Sequence, residues 1–244
     1  MTRRRWIADE VSEDRATLLG EHANHLLRAL RARVGQEFDI ATGPVVRRGR
    51  ITSIANDRVE FELGEALCGQ EMPEITLLLA IFKFDRMEWA IEKCTELGVA
   101  RIVPVIARRT DSHLAAASTK RAERWRRIAQ QAAEQSRRPG SPEIAAPIKL
   151  SEVLNVPAAL RIVLSESEEQ TLLRDVVKPD APGLESEGNS IALALGPEGG
   201  WREDEVQSFR EAGWISVSLG NTVLRAETAA IAATAIVASA LYTL

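Results

Sequence analysis

Residues Ile191–Thr228, IALALGPEGGWREDEVQSFREAGWISVSLGNTVLRAET, contain one local pattern twice: a short strand, a glycine-containing turn and a helix. The apolar run Ile191–Leu195 has the length of a buried strand and ends at GPEGG, Gly196–Gly200, before a polar helix start. Trp214–Leu219 alternates large and small residues, as a strand does, and leads through a second glycine turn into an Ala-rich helix near Ala226. Because ligands of open α/β sheets bind outside the carboxyl ends of the strands, the two units predict one ligand site.

The glycines of the first turn indicate how such a site would work. Gly199 and Gly200 allow positive φ and let a ligand approach the backbone without a Cβ in the way. N–H groups at the following helix start can then contact ligand oxygen atoms. No Gly-Lys-Ser/Thr and no G-x-G-x-x-G is present, so the usual phosphate and dinucleotide fingerprints are absent. Tight connections alone also use glycine, but two such turns on successive units favour a binding site.

These motifs resemble a known family. GPEGG, then LGNTVLRAETA at Leu219–Ala229 and the Ala-rich last helix, resemble the SPOUT class of methyltransferases and, within it, the RsmE family. The resemblance continues upstream in KFDRMEW at Lys83–Trp89, EKCTELGV at Glu92–Val99 and EQSRR at Glu134–Arg138, in consistent order over nearly the whole chain. The RsmE family methylates N3 of a uridine in small-subunit (16S) ribosomal RNA.

The resemblance implies an α/β architecture in two domains. Residues 1–72 would form a PUA-like RNA-binding β-barrel, and residues 73–244 a SPOUT domain with a mostly parallel sheet. A deep trefoil knot would lie at about residues 160–235 of that domain. The resemblance also implies S-adenosylmethionine as methyl donor without a metal, a homodimer, and small-subunit ribosomal RNA or the assembled 30S subunit as partner.

Site residues follow from the same resemblance. Arg225 is expected to stabilise charge on uracil oxygens or to hold an RNA phosphate. Glu227 is a candidate general base, although a first-turn carboxylate is also favoured by the helix dipole. Ser165-Glu166, at the end of the preceding strand, is a candidate third wall. The expected donor pocket, formed largely by backbone groups, comprises Leu195, Gly196, Glu198, Gly199, Gly200, Leu219, Gly220, Leu224 and Thr228.

The charge distribution bears on RNA binding. The net charge is −4, yet residues 101–140 contain ten Lys and Arg against three Asp and Glu. Salt confines such interactions to about 10 Å, so a local basic face can bind phosphates whatever the total. A solvated helix face has the same composition. Arginine suits phosphate because its planar fork donates two parallel hydrogen bonds. The candidate RNA contacts are Arg28, Lys83, Arg86, Arg137 and Arg138.

Hydrophobic patterning gives a coarse order of elements. Before the expected boundary near Gly69–Pro73, the pattern predicts a small β-rich domain. Its predicted strands are Glu37–Ala41, Val45–Ile54 and Val59–Leu67, and its one predicted helix is Glu21–Ala32. After it, strands alternate with helices, which predicts a mostly parallel sheet. The strands are Ile75–Phe82, Arg101–Val105 and Arg161–Leu164, with helices at Asp85–Leu97 (Asp85 as N-cap), Thr119–Ser136 and about Leu172–Val177.

Composition excludes several classes. Cys68 and Cys94 are far apart without a CxxC, which argues against a disulfide framework or zinc site and fits a reducing cytosol. His22 and His25 have no further metal ligand near them in sequence. The N-terminus lacks the apolar region of a signal peptide, and Ala226–Leu244 is too rich in Ala, Thr and Ser for a clear membrane span. A cytoplasmic protein is expected.

Alternative functions remain at this point. Another SPOUT activity, such as ribose 2′-O-methylation, would share the fold and donor but differ in the acceptor atom. A non-catalytic RNA-binding or ribosome-assembly factor would bind RNA without depending on the donor, but leaves the two glycine turns without a role. A nucleotide-dependent oxidoreductase is a distant third because the dinucleotide fingerprint is missing.

Overall fold

The computed structural model describes residues 5–42, 45–67, 74–136, 138, 140–178 and 190–241. The chain divides into two units, residues 1–71 together with 133–141, and residues 72–132 together with 142–244. The sequence-based boundary between residues 72 and 73 stays a prediction, since residues 68–73 lie outside the described ranges.

The first unit is rich in β-structure, as the sequence predicts. Its elements are β1 (Arg5–Ile7), β2 (Glu10–Val11), β3 (Arg15–Leu19), α1 (Gly20–Leu30), β4 (Glu37–Ala41), β5 (Val46–Ala55) and β6 (Arg58–Leu67). The described strands form one sheet in the order β1-β4-β5-β6-β3-β2, with β1 parallel to β4 and every other pair antiparallel. The three strands predicted from the sequence correspond to β4, β5 and β6.

Alternation along β6 shows what holds this unit together. Val59, Phe61 and Leu63 are buried while Glu62 between them is exposed, as the two-residue period of a strand requires. Leu26 of α1 is completely buried in the same hydrophobic cluster. One face of the sheet and one side of the helix therefore form a common apolar core.

The second unit is an α/β domain. Its elements are β7 (Glu74–Ala80), α2 (Phe84–Glu96), β8 (Arg101–Ile106), α3 (Ser112–Gln135, of which residues 133–135 count with the first unit), β9 (Glu143–Ile144), β10 (Ile148–Lys149), α4 (Leu150–Val153), β11 (Leu160–Leu164), α5 (Leu173–Val176), β12 (Ser190–Leu195), α6 (Glu203–Glu211), β13 (Ile215–Val217) and α7 (Ala226–Leu241). In the described part of the chain the strands are all parallel, in the order β10-β8-β7-β12-β11-β13, with β9 beside β8. The prediction of a mostly parallel sheet is confirmed.

The sheet of this unit is covered on both faces. Alternate residues of β7, Ile75 and Leu77, pack in the hydrophobic cluster that includes residues of α2, α3 and α7. The intervening Leu78 packs in a second cluster with Phe209 of α6 and Trp214. Because both faces are buried, these strands read as continuous apolar runs rather than as alternating ones.

Some predicted boundaries were wrong. Helix α3 begins at Ser112, seven residues before the predicted Thr119. Helix α2 begins at Phe84 with Lys83 at the N-cap position, so Asp85 lies in the first turn and does not cap the helix. The last strand is shorter than predicted, and beyond it Ser218 forms an isolated bridge with Leu172.

Strand order creates the site. Strand β12 follows β11 in the chain but lies between β7 and β11, and β13 pairs with the other side of β11. The carboxyl ends of β11, β12 and β13 are therefore neighbours at one edge of the parallel sheet. Both glycine turns leave from this edge, as the sequence predicts.

Candidate active site

A cavity of about 530 Å³ lies at the carboxyl ends of β11, β12 and β13. Its walls come from the loop after β11, the GPEGG turn after β12, the turn after β13 and the first turns of α7. The lining residues are Leu164, Ser165, Glu166, Glu168, Glu169, Leu172, Leu195, Gly196, Pro197, Glu198, Gly200, Trp201, Val217, Ser218, Leu219, Gly220, Asn221, Thr222, Val223, Leu224, Ala226 and Ala229.

The backbone of the GPEGG turn is tightly folded. The N–H of Gly200 donates to the carbonyl oxygen of Pro197 at 2.8 Å, and Gly200 has a φ of +69°. A Cβ on Gly196 would lie 3.1 Å from the backbone nitrogen of Trp201 and 3.2 Å from the carbonyl carbon of Gly200. Glycine is therefore favoured at position 196 by the close approach of the backbone and at position 200 by conformation.

One arginine connects this turn to the start of α7. Arg86 Nη1 lies 2.6 Å from Glu198 Oε1, and Arg86 Nε lies 3.9 Å from Glu227 Oε1. Glu227 is only 3% exposed, and its Oε2 has no hydrogen-bond partner among the described residues. The Arg86 guanidinium thus neutralises a buried carboxylate of α7 while holding a side chain of the GPEGG turn.

The turn after β13 forms the opposite wall. Ser218 Oγ accepts a hydrogen bond from the N–H of Gly220 at 3.2 Å, and Gly220 has a φ of +128°. The next three residues, 221–223, are exposed at the cavity, and Val223 leaves 83% of its surface exposed. This turn presents amide, hydroxyl and apolar groups toward solvent at the cavity.

The expected donor-pocket residues are brought together with two exceptions. Leu195, Gly196, Glu198, Gly200, Leu219, Gly220 and Leu224 line the cavity, whereas Gly199 and Thr228 do not. Ser165 and Glu166 line it too, as expected for a third wall. Neither Arg225 nor Glu227 is among the lining residues: Arg225 is exposed beside the lining residue Leu224, and Glu227 is buried.

The expected RNA contacts lie in different surroundings. Lys83 is exposed at the start of α2, and Arg28 is exposed in the last turn of α1. Arg86 is held by the ion pair with Glu198. Arg138 is partly buried, and Arg137 lies outside the described residues.

Several lining residues were missed by sequence reasoning. Glu168, Glu169 and Leu172 come from the loop after β11, which carries no motif of its own. That loop is placed by pairing with the end of β13, because the N–H of Ser218 donates to Thr171 at 2.8 Å and the N–H of Leu173 donates to Ser218 at 2.9 Å. Trp201 also lines the cavity, and its position directly after Gly199-Gly200 was the one available signal.

The described part of the chain contains neither a cluster of metal ligands nor a helix able to span a membrane. In the described ranges no group of three or more His, Cys, Asp or Glu side chains is arranged to hold a metal ion. His22 contacts Asp9 at 3.0 Å, and His25 packs edge-on against Trp6. Cys94 is buried, and Cys68 lies outside the described residues. No helix that the structure describes is both long and apolar enough to cross a bilayer.

A parallel α/β unit with a cavity between two glycine turns fits an RNA methyltransferase, and residues 70–238 match the family described as RNA methyltransferase domain. The chain is 33% identical over 230 residues to ribosomal RNA small subunit methyltransferase E of Synechocystis, covering 91% of this chain and 72% of that protein. The chain therefore belongs to the ribosomal RNA small subunit methyltransferase E family of RNA methyltransferases, which confirms the resemblance seen in its motifs.

Solved structures agree with this membership. Ribosomal RNA small subunit methyltransferase E from Neisseria gonorrhoeae, bound to S-adenosyl methionine, is 30% identical with a TM-score of 0.73, over 96% of each chain. A Legionella pneumophila protein solved with the bound cofactor SAM is 29% identical with a TM-score of 0.74, over 98% of each chain.

Proposed function

We propose that this chain transfers a methyl group from S-adenosylmethionine to N3 of a uridine in the RNA of the small ribosomal subunit. Family membership supports methyl transfer to this RNA, because the Synechocystis and Neisseria relatives are named for it. The Neisseria structure holds S-adenosyl methionine, which supports the choice of donor. The choice of uridine N3 rests on the motif resemblance.

The cavity between the two glycine turns is the observation that carries the proposal. Its volume of about 530 Å³ lies within the range of about 300–1,000 Å³ that ligand pockets occupy. The close approach of Gly196 to Trp201 and Gly200 leaves the backbone itself as the wall of the first turn. Backbone N–H and C=O groups at such a wall can bond the polar parts of a nucleoside and an amino acid.

The donor supplies an electrophilic methyl group on a sulfonium. The chain must therefore bind the two substrates, align them and exclude water. Alignment for in-line attack can supply several kcal/mol. Loops and turns that follow three neighbouring strands surround the cavity, so the necessary contacts come from three connections rather than from one loop.

Arg225 is the residue to which we assign the acceptor chemistry. Uracil N3 must lose its proton to solvent water before the attack, and the resulting negative charge spreads onto the neighbouring carbonyl oxygens. The new N3–methyl bond then forms as the methyl–sulfur bond of the sulfonium breaks, which leaves a neutral thioether. Arg225 is exposed, follows the lining residue Leu224, and its side chain has no hydrogen bond or ion pair among the described residues. Because Arg225 lies beside the cavity and its guanidinium has no other partner among the described residues, that guanidinium can stabilise this negative charge with hydrogen bonds.

Glu227 is given a positioning role. The sequence leaves it open whether Glu227 removes the N3 proton or only favours the start of a helix. A side chain that is 3% exposed, lies outside the cavity wall and stands 3.9 Å from Arg86 is poorly placed to meet a base in RNA. We propose that Glu227 holds Arg86, which in turn holds Glu198.

RNA binding involves both units in this proposal. The target uracil must leave any base pair before N3 is accessible. We propose that the β-rich first unit is a PUA-like RNA-binding barrel, that Arg28 and Lys83 contact RNA phosphates, and that Arg137 and Arg138 do so as well. The substrate is small-subunit ribosomal RNA or the assembled 30S subunit, which implies a cytoplasmic location.

The second unit is proposed to be a SPOUT domain with a trefoil knot that works as a homodimer. The route of the chain supports the knot. Strand β12 lies between β7 and β11, β13 lies at the sheet edge beyond β11, and α7 returns from that edge to pack against α2. The homodimer rests on the family resemblance.

Calorimetric titration with S-adenosylmethionine tests the donor site. We expect saturable binding by the wild-type protein and no binding by Gly200→Trp, because the large side chain would stand at a positive-φ position in the cavity wall. Gly213→Trp is the matched control: Gly213 has a φ of +79° but precedes β13, at the amino ends of the strands. Equal binding by all three folded proteins would contradict the assignment of the cavity.

A further inference from the structure

A second arginine, besides Arg86, contacts the GPEGG turn. It comes from a loop that has no role in the proposed chemistry. Arg109 lies between β8 and α3, ninety residues before the turn in sequence. Its Nη1 donates to the carbonyl oxygen of Gly199 and lies 3.4 Å from the carbonyl oxygen of Trp201. A Cβ on Gly199 would be 3.4 Å from Arg109 Cδ, so the arginine stem runs directly along the turn.

These two carbonyl groups flank Gly200. Fixing the Gly199 carbonyl fixes the peptide plane that contains the Gly200 N–H, which donates to Pro197. Fixing the Trp201 carbonyl fixes the plane that contains the Arg202 N–H, which donates to Glu205 Oε2 at 2.8 Å. Two adjacent glycines have wide conformational freedom, so contacts from Arg109 add to the internal Gly200–Pro197 hydrogen bond in restricting this turn to one arrangement.

The loop that carries Arg109 is itself anchored. The backbone N–H of Arg108 donates to Glu205 Oε1 at 2.9 Å, and Glu205 is 1% exposed. The N–H of Ala107 donates to Thr110 Oγ1 at 3.1 Å. The neighbouring Arg108 side chain points elsewhere, to Asp204 at 2.9 Å. Arg109 therefore extends to the turn from an anchored loop, whereas the Arg108 side chain pairs with Asp204 of α6.

We propose that Arg109 is a positioning residue for the donor, which it places by holding the GPEGG turn in its binding conformation. This inference rests on the proposed function, because it assumes that the cavity takes S-adenosylmethionine. Arg109 lies outside the expected knot region of about residues 160–235 and outside the motifs of the two turns.

The expected effect is on donor affinity. Arg109→Met keeps the aliphatic stem and removes the hydrogen bonds, so we expect the Kd for S-adenosylmethionine to rise about tenfold, equivalent to about 1.4 kcal/mol. The KM for the donor should rise in parallel, with kcat at saturating donor nearly unchanged. Arg109→Lys should recover part of the affinity, because an ammonium can donate to one of the two carbonyl groups. Arg108→Met should bind as the wild type does.

Calorimetry on these four proteins, with hydrogen exchange of the segment 196–202, tests the inference. Positioning predicts faster exchange in that segment of Arg109→Met with unchanged exchange in the core strands; faster exchange throughout the domain would overturn it. Equal donor affinity in Arg109→Met and Arg108→Met, beside normal wild-type binding, would overturn the role of Arg109 alone. Failure of the wild-type protein to bind the donor would contradict the proposed function as well.

Discussion

Arg225 differs from Arg86 and Arg109, whose side chains contact the GPEGG turn. Arg86 forms an ion pair with Glu198, and Arg109 donates hydrogen bonds to carbonyl groups of the turn. The Arg225 side chain, by contrast, has no hydrogen bond or ion pair in the described part of the chain. We expect Arg225→Ala to lower methyl transfer at least about a hundredfold, the typical effect of removing one donor that stabilises a developing oxyanion. Its Kd for S-adenosylmethionine and its melting temperature should stay close to those of the wild type.

Two measurements on Arg225→Ala check this prediction: the rate of methyl incorporation into small-subunit RNA, and the Kd from titration with S-adenosylmethionine. The control is Arg101→Ala, since Arg101 lies at the amino end of β8 and pairs with Glu143, away from the cavity. Near-normal turnover in Arg225→Ala would remove Arg225 from the chemistry.

The pairing of Arg86 with Glu227 predicts a coupled effect on stability. Arg86→Met leaves the buried Glu227 carboxylate without its cation, so the free energy of unfolding should fall by about 1–3 kcal/mol. In a Glu227→Gln background the same change should cost clearly less, because no buried charge is then left unpaired. Urea denaturation of the four proteins gives the coupling energy, and an identical cost in both backgrounds would show that the two residues act independently.

Cys94 makes stability sensitive to alkaline pH. Burial raises the pKa of the Cys94 thiol to about 12 from an ordinary 9.0, an effect only partly offset by the contact with Thr234. Between these values the unfolded chain loses the proton and the folded chain keeps it, so the stabilising effect is complete below about pH 9 and is lost as pH rises toward about 12.

The measurable quantity is the difference in unfolding free energy between the wild-type protein and Cys94→Ala. Above about pH 9 the unfolding free energy of the wild-type protein should fall, relative to that of Cys94→Ala, by up to about 1.4 kcal/mol per pH unit. A difference that stays constant from about pH 8 to about pH 11 would show that the folded thiol ionises as readily as the unfolded one.

At the scale of elements, the cap of α6 links this helix to the loop after β8. Each oxygen of the Glu205 carboxylate accepts one backbone N–H, from Arg202 and from Arg108. Glu205→Ala leaves both donors without this partner and should cost about 2–4 kcal/mol of unfolding free energy. Glu205→Gln keeps one acceptor oxygen and should cost about half as much.

Thermal unfolding of these variants checks the role of the cap. Glu203→Ala is the control on the same helix, because Glu203 is exposed and contributes mainly through the helix dipole, less than about 1 kcal/mol. Similar losses in Glu203→Ala and Glu205→Ala would mean that the dipole, not the two hydrogen bonds, explains the effect.

Elements with a strong apolar pattern were predictable from the sequence, and those defined by distant partners were not. β7, β11 and β12 were found close to their true bounds because both sheet faces are buried and the runs are unbroken. The short strands β1 and β2 contain the charged residues Arg5 and Glu10 and have no apolar run of their own. They are strands because β1 pairs with β4 and β2 pairs with β3. Helix α3 begins where Asp111 Oδ1 accepts the His113 N–H, before any amphipathic pattern starts.

At the scale of the whole molecule, sequence motifs located the cavity but not what holds it in place. Both glycine turns could be predicted to meet, because consecutive parallel strands end at the same edge of a sheet. The contacts from Arg86 to Glu198 and from Arg109 to Gly199 join residues about a hundred positions apart. Such contacts depend on strand order, which local periodicity does not encode, so the sequence does not reveal that Arg86 and Arg109 hold the GPEGG turn. RNA binding by Arg86 stays a prediction.

The most direct test of the proposed function is nucleoside mass spectrometry of unmodified small-subunit RNA, free and in 30S subunits, after incubation with the protein and isotopically labelled S-adenosylmethionine. We predict labelled N3-methyluridine at one position with the wild-type protein, and initial labelling at least about a hundredfold slower with Arg225→Ala. Label on a ribose 2′ oxygen would contradict the acceptor assignment, and RNA binding without any label would contradict methyl transfer itself.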